Sequence, residues 1–205
     1  MKPLLVLAAF PMVLMGWASC SHSGTGHAAL PDPRAVDKSV PEYKNPFHPS
    51  TYAHFVARKD YRKTYDVYKD DTLLNRQPKK SRKIFVCLDE QRGQYLVDGL
   101  VAMDFPLSSG VKAYPTKTGD YAVISKKEDH ASNLYGKMYD AEGKCINYNA
   151  ESTDPIPEGG RFDGSPMPYW QRLTNAGLGL HVGKVRRHPV SHGCVRLPRN
   201  VAEIL

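Results

Sequence analysis

Cys194 closes the run Ser191-His192-Gly193-Cys194, and a further histidine, His181, lies upstream in Leu180-His181-Val182-Gly183. A thiolate is a strong nucleophile, but a thiol of ordinary pKa, about 8.5, is mostly protonated at neutral pH, so it needs an imidazole to take its proton or stabilise the anion. Cys194 is therefore the candidate nucleophile, with His181 and His192 as candidate bases. Gly193 lets the backbone approach a substrate closely. The N–H groups of Gly193 and Cys194 can then point at a carbonyl oxygen that gains negative charge. Together these groups outline an acyl-transfer site.

Elements must bring them together. Leu178, Leu180 and Val182 alternate with Gly179 and His181, so this run is expected to be a strand with His181 facing away from the leucines. Val195 and Leu197 alternate with Cys194 and Arg196, which gives a second strand with Ser191-His192-Gly193 at its mouth. An antiparallel pair joined by the short Lys184 to Val190 connection would set His181 opposite Cys194. Two other readings stand beside this one. His181, His192 and Cys194 could be three zinc ligands, although no second cysteine or carboxylate pair sits close by in sequence. A purely structural Ser-His-Gly-Cys is also open, but four special residues in a row build a core strand poorly.

The motif resembles the L,D-transpeptidase catalytic domain family, whose signature is a histidine followed at a distance by Ser/Thr-His-Gly-Cys and an arginine two residues on. His181, Ser191, His192, Gly193, Cys194 and Arg196 fit it. Ile84 to Leu88, Gln91 to Val97, Asp98-Gly99 and Phe105 to Gly110 resemble the family's opening hairpin and its Ser/Thr-Gly turn. Tyr114 to Tyr121 is similar to its Thr-Pro-x-Gly segment, with Lys117 in place of the proline, and Met167-Pro168-Tyr169 to its Met-Pro-Tyr. The His181 to Cys194 interval is shorter than in many members, which limits any lid built from that loop.

The resemblance implies a mostly β chain with a β-sandwich and small helices, and a cysteine acyltransferase that acts on peptidoglycan stem peptides without a metal or organic cofactor. Cys194 would attack the third stem residue, expel the terminal D-alanine and form a thioester, which a second stem resolves into a 3-3 crosslink. His181 would be the base, its other ring nitrogen held by a backbone carbonyl, most naturally that of Val182. His192 would shape the bend, while Arg196, Ser191, Tyr169 and Met167 would face substrate. Three alternatives remain: an L,D-carboxypeptidase or hydrolase, an enzyme that anchors a wall-linked lipoprotein, and a catalytically inactive wall-binding lipoprotein.

The N-terminus bears on location. Met1-Lys2 carries one charge and Leu4 to Trp17 runs fourteen residues without any, too short to span a membrane and suited to a signal-peptide core. Gly16-Trp17-Ala18-Ser19-Cys20 resembles a lipoprotein cleavage box, so Cys20 is the expected lipidation site, with cleavage near Ala28 as the other outcome. The expectation is an exported protein of the periplasm or envelope, anchored to a membrane by its N-terminal lipid. The formal net charge of +7 then suits an anionic wall polymer or lipid surface rather than nucleic acid. If Cys20 is lipidated and Cys194 stays a thiol, only Cys87 and Cys145 remain to pair; Cys87 lies in an apolar strand and Cys145 in a polar run, spacing alone does not bring them within bonding distance, and two unpaired thiols are expected.

The organisation expected is a signal peptide at 1–20, a flexible tether rich in Ser, Gly, His and Pro at 21–49, a helical arm and linker at 50–81, and the catalytic domain at 82–205. In the arm, Tyr52, Phe55, Val56, Tyr65, Val67, Tyr68 and Leu73 suggest one or two amphipathic helices laid on the domain surface. Asp98-Gly99 marks a two-residue hairpin turn. Lys126 to Gly136 and the polar stretch to Ser165 form a long insertion, expected to be a substrate-side lid. His130 within it is expected to be a surface histidine beside Asp129.

Overall fold

A computed structural model describes residues 32–39, 41–78 and 81–205. The expected signal peptide and Cys20 lie outside these residues. Among the described residues the chain is mostly β, as the resemblance implied, with three sheets and three short helices.

The first sheet has the order β1 (Tyr68–Lys69), β4 (Leu100–Pro106), β3 (Arg92–Val97), β2 (Arg82–Cys87). The β3–β4 hairpin turns at Asp98 and Gly99, whose φ values of 52° and 85° give the two left-handed residues that a tight hairpin turn requires. Chain direction reverses at β4, so Tyr68 pairs with Asp104. The second sheet has the order β11 (Val195–Leu197), β10 (Gly179–Val182), β9 (Trp170–Arg172), β5 (Ser125–Lys127). Met103, Phe105 and Leu107 from one side meet Leu180, Val195 and Leu197 from the other, with Val201 and Ala202 of helix α3 (Arg199–Ala202) closing the end. Every one of these is nearly inaccessible to water. The apolar alternation of both sheets is thus satisfied by a sandwich, with about 25 cal/mol of driving force for each Å² of apolar surface removed from water.

Two isolated bridges tie the sheets at their rims: Ser108 to Arg196 and Gly110 to Ser191.

The arm departs from the helical expectation. It contains α1 (Tyr52–Ala57), α2 (Asp71–Leu74) and the edge strand β1 between them. Its aromatic spacing sustains only one turn and a half, because Arg58-Lys59-Asp60 interrupts the apolar face. Nor does it merely lie on the surface. Tyr52 and Tyr61 donate to Asp104 Oδ2 at 2.7 and 2.9 Å, while Arg92 Nε meets Asp104 Oδ1 at 2.6 Å with both side chains buried. The polar outer face of the first sheet is covered by the arm, a third layer over the sandwich.

Residues 32–39 and 41–49, expected as part of a flexible tether, dock on α1. Its last carbonyls accept from three side chains: Asn45 Nδ2 to His54 O at 2.8 Å, Lys38 Nζ to Val56 O at 2.7 Å and Tyr43 Oη to Ala57 O at 2.7 Å. A helix end leaves such carbonyls without intrahelical partners, which explains why this segment has a fixed place.

The long insertion is a third sheet, β6 (Ala131–Tyr139) flanked by β7 (Cys145–Glu151) and β8 (Arg161–Pro166). It leaves after β5 and returns before β9, and its base is zipped by Met167 N to His130 O and Tyr169 N to Glu128 O, both 2.7 Å. No disulfide joins Cys87 and Cys145. Among the described residues, no helix is long and apolar enough to cross a membrane.

Candidate active site

β10 and β11 are adjacent but parallel, not antiparallel: Leu180 pairs with Val195, His181 with Arg196 and Val182 with Leu197. The connection from Gly183 to Cys194 is twelve residues once Cys194 is seen to precede the strand, long enough for a crossover and too long for a tight hairpin. Leu180, Val195 and Leu197 point into the core, so His181, Arg196 and Cys194 share the opposite face. Cys194 is level with Gly179, and His181 is its diagonal neighbour rather than its direct opposite.

Trp170 of β9 belongs to the same face, since β9 pairs with β10 at Leu180 to Gln171. Its ring centroid lies 6.2 Å from that of His181 and 5.0 Å from that of His130. His130 is therefore half-buried against an indole, not a surface group beside Asp129.

His181 is buried, and its Nδ1 lies 2.8 Å from the carbonyl oxygen of Val182. A carbonyl only accepts, so Nδ1 carries the hydrogen and Nε2 keeps its lone pair. Burial pushes the His181 pKa down to about 4, with Arg196 and His130 adding repulsion against the bond to Val182. The ring is neutral at pH 7, in the tautomer a base requires. Burial pushes the Cys194 thiol up, against the Gly179 N–H and the charge of Arg196, which favour the thiolate. Its Sγ donates to the carbonyl of Gly177 at 3.3 Å. The resting pair is thus thiol and neutral imidazole, not thiolate and imidazolium.

The turn before the thiol is held from several sides. Gly193 has φ +111°, which side chains rarely adopt, and its backbone packs against Gly110 so closely that a Cβ on Gly110 would fall 2.8 Å from Gly193 Cα. Thr116 Oγ1 accepts from Gly110 N at 2.8 Å and donates to Gly193 O at 2.6 Å. Ser191, expected to face substrate, is buried; its hydroxyl donates to Cys194 O and accepts from Gly193 N at 3.2 Å. The Gly193 N–H, expected as an oxyanion donor, is engaged within the turn.

Gln91 clamps the strand beneath: Nε2 donates to Ser109 Oγ at 2.7 Å and Oε1 accepts from Ser109 N at 2.9 Å. Ser109 O in turn accepts from the N–H groups of Val190 and Ser191.

His192 is exposed and makes no contact that would activate Cys194. Its ring stacks on Tyr135 from the insertion, centroids 4.5 Å apart and planes at 19°, with Tyr114 at 4.7 Å on another side. Tyr135 is close enough to the thiol for Cys194 to contribute to raising its hydroxyl pKa, behind burial, Glu151 and Tyr114. The wall above the site therefore comes from the insertion. Tyr169, expected to touch substrate, packs against the main core under Arg199, its guanidinium 5.5 Å from the ring, and its backbone has φ 53°. Met167 is half-buried at the base of the insertion. Arg196 stays on the site face with its stem against Gly183. Among the described residues no three His, Cys, Asp or Glu side chains group as metal ligands.

Gln91, Thr116 and Tyr135 escaped the sequence reading as site residues, since nothing in the sequence sets Tyr135 apart from the other aromatics of the insertion; Trp170 belongs to the aromatic corner Met167-Pro168-Tyr169-Trp170, for which core packing and a wall for the peptide stem are both open from sequence.

The L,D-transpeptidase catalytic domain model (YkuD) matches residues 81–205. The chain belongs to that family. Solved structures similar to it include an L,D-transpeptidase from Stackebrandtia nassauensis, 22% identical with TM-score 0.41, covering 62% of this chain and 50% of that one. An L,D-transpeptidase from Mycobacterium tuberculosis is 22% identical with TM-score 0.39, covering 58% and 48%. The catalytic domain of the Enterococcus faecium L,D-transpeptidase is 27% identical with TM-score 0.42, covering 60% and 86%. The chain thus spans about half the length of the first two. No curated protein matches it.

Proposed function

We propose that this protein is a peptidoglycan L,D-transpeptidase working through a Cys194 thioester. The observation that carries the reading is the placing, on one sheet face of a family domain, of the Cys194 thiol diagonal to a neutral His181 whose Nε2 lone pair is left free by the bond from Nδ1 to Val182 O. On substrate binding Sγ leaves Gly177 O and attacks the carbonyl carbon of the third stem residue, while its proton passes to His181 Nε2. The tetrahedral oxyanion is met by the Cys194 N–H, with Arg196 adding positive charge on the same face. Collapse expels the D-alanine amine, which takes the proton from His181. An amine of a second stem then attacks the thioester, giving up its proton to His181, and the thiol is regenerated.

Water competes as acceptor, and its use would make the protein an L,D-carboxypeptidase. Export and a lipid on Cys20 complete the reading, from Met1-Lys2, the uncharged run after it and Ala18-Ser19-Cys20. The test is mass spectrometry of products from a purified tetrapeptide muropeptide, with and without a second stem. Dimers with a 3-3 link support transpeptidation; tripeptide alone makes the protein a hydrolase; unchanged muropeptide from folded, wall-bound protein makes it a binding module.

A further inference from the structure

The family domain begins at residue 81, yet the segment that carries Cys194 is held in part by residues before it. Resting on the transpeptidase reading, we propose that residues 61–66 of the arm form a clamp on the 186–191 loop, with Arg187 as a positioning residue, so that the catalytic unit of this chain includes its arm.

Arg187 is the joint. Its Nη1 donates to Thr64 O at 3.1 Å and its Nη2 to Glu90 O at 3.2 Å, so one guanidinium ties the loop to the arm and to the β2–β3 turn. Thr64 O also accepts from Arg92 Nη1 at 3.2 Å, which joins this point to the buried Arg92–Asp104 pair and through it to Tyr61. One residue earlier, Tyr65 Oη donates to Arg186 O at 3.2 Å. The N–H groups of Arg186 and Arg187 both donate to Ser108 Oγ, at 2.8 and 3.1 Å. Ser108 is fully buried and pairs by its backbone with Arg196, and the next residue, Ser109, receives the N–H groups of Val190 and Ser191. Hydrogen bonds, with the Ser108–Ser109 peptide link between them, therefore run from the arm to Ser191, whose hydroxyl fixes the Gly193–Cys194 turn.

Arg187 also bears a local penalty. Its φ is 55°, left-handed for a residue with a side chain, and its Nε is buried with no partner. A strained backbone and an orphaned donor persist at one residue only where the surroundings over-determine it, and here the arm does so together with Glu90 and Ser108. Fold stability alone would favour glycine at this φ and no buried guanidinium.

That last point supplies the variant. Arg187→Gly removes the guanidinium while relieving the backbone, so a defect cannot be charged to strain. Acylation of the full chain by a carbapenem, followed by mass, should slow by about 100-fold, the order expected when reacting groups are misplaced by about 1 Å. Arg187→Lys should recover part of the rate, since an ammonium can reach one of the two carbonyls. Tyr65→Phe, which deletes one exposed hydroxyl, should slow acylation by about 2-fold. Melting temperature and Cys194 alkylation by iodoacetamide, which needs no fixed turn, should stay near the parent's. Hydrogen exchange supplies a reading free of activity: the amides of Val190 and Ser191 should lose protection in Arg187→Gly and keep it in Arg187→Lys.

Unchanged acylation and unchanged protection in Arg187→Gly would overturn the clamp. If Arg187→Gly fails to fold, Tyr65→Phe and Arg187→Lys carry the test by the same two measurements. A parent protein that is never acylated and leaves muropeptides untouched would sink the transpeptidase reading instead, while the exchange measurement would still decide the clamp.

Discussion

Two buried polar clusters lie on opposite sides of the sandwich, and they are built on opposite terms. Asp104 has both oxygens occupied: Arg92 Nε on one, the hydroxyls of Tyr52 and Tyr61 on the other, with Gln94 Nε2 at 3.4 Å. Across the core, His181 has one ring nitrogen fixed and the Cys194 thiol leans on a single carbonyl. Asp104, Arg92 and His181 are all buried, yet one cluster leaves its charge nothing to react with and the other leaves a lone pair and a half-buried thiol uncommitted. Full satisfaction rigidifies a buried network; partial satisfaction leaves the groups able to exchange protons with a substrate.

The largest break is expected at the thiol. Cys194→Ala should abolish acyl-enzyme formation with a carbapenem and any change in muropeptides, while the melting temperature stays near the parent's because little volume is lost. A mass adduct on the alanine protein would place the chemistry elsewhere.

His181→Gln comes next, with a loss of about 100- to 10,000-fold in acylation rate, the usual range for a general base. The pH dependence sharpens this. The folded pKa near 4 lies below the ordinary 6.5, so the unfolded chain takes up a proton first as pH falls. Stability should therefore decline between pH 6.5 and 4, by up to about 1.4 kcal/mol per pH unit, and His181→Gln should flatten that slope in urea titrations. Because the thiol is raised rather than lowered, iodoacetamide should alkylate Cys194 faster as pH rises into the alkaline range, with no reactive thiolate plateau at low pH. Such a plateau would mean an ion pair at rest and would contradict the neutral pair described above. His192→Ala should leave this profile in place, since its ring is stacked on Tyr135.

On the other side of the molecule, Asp104→Asn should lower unfolding stability by about 3–5 kcal/mol, because it leaves Arg92 buried with an uncompensated charge. Replacing both members, Arg92→Met with Asp104→Leu, should recover part of the loss. A single variant as stable as the parent would mean that water reaches the pair.

How much of this could be read from sequence follows the same division. The thiol, His192 and the glycine are adjacent in the chain, His181 lies thirteen residues upstream of the thiol, and their residue types state their chemistry. The Asp98-Gly99 turn was equally local. Strand direction was not, since alternation in Gly179 to Val182 and Val195 to Leu197 is identical whichever way the strands run. The role of the arm was hidden for a different reason: Tyr52 and Tyr61 meet Asp104 across sequence separations of 52 and 43 residues, and no local pattern marks a tyrosine whose hydroxyl will be buried on a carboxylate. Gln91 and Thr116 act through hydrogen bonds to backbone that folding alone brings near.

The smallest expected effect tests whether the Asp104 cluster is as fully satisfied as its geometry suggests. Tyr52→Phe removes one of two hydroxyls on Asp104 Oδ2 and the acceptor that Gln94 Nε2 uses at 2.6 Å. With Tyr61 and Gln94 still at hand, the loss should stay near about 1 kcal/mol, below the usual range for a hydrogen bond to a charged group. Burial, then Asp104 beside it, pushes the Tyr52 hydroxyl well above its ordinary 10, and Tyr61 is raised by the same two causes. A folded pKa raised above the unfolded one means stability held below pH 10 and lost as pH climbs beyond it, because the unfolded chain gives up its protons first. The parent should therefore lose stability above pH 10, and Tyr52→Phe should shed one tyrosine's share of that slope while Tyr61 keeps the rest. Urea unfolding at pH 8 and at pH 11 reads both quantities. An unchanged alkaline slope would mean that Tyr52 ionises freely in the folded chain, and the arm would then lie on the sheet without being locked to it.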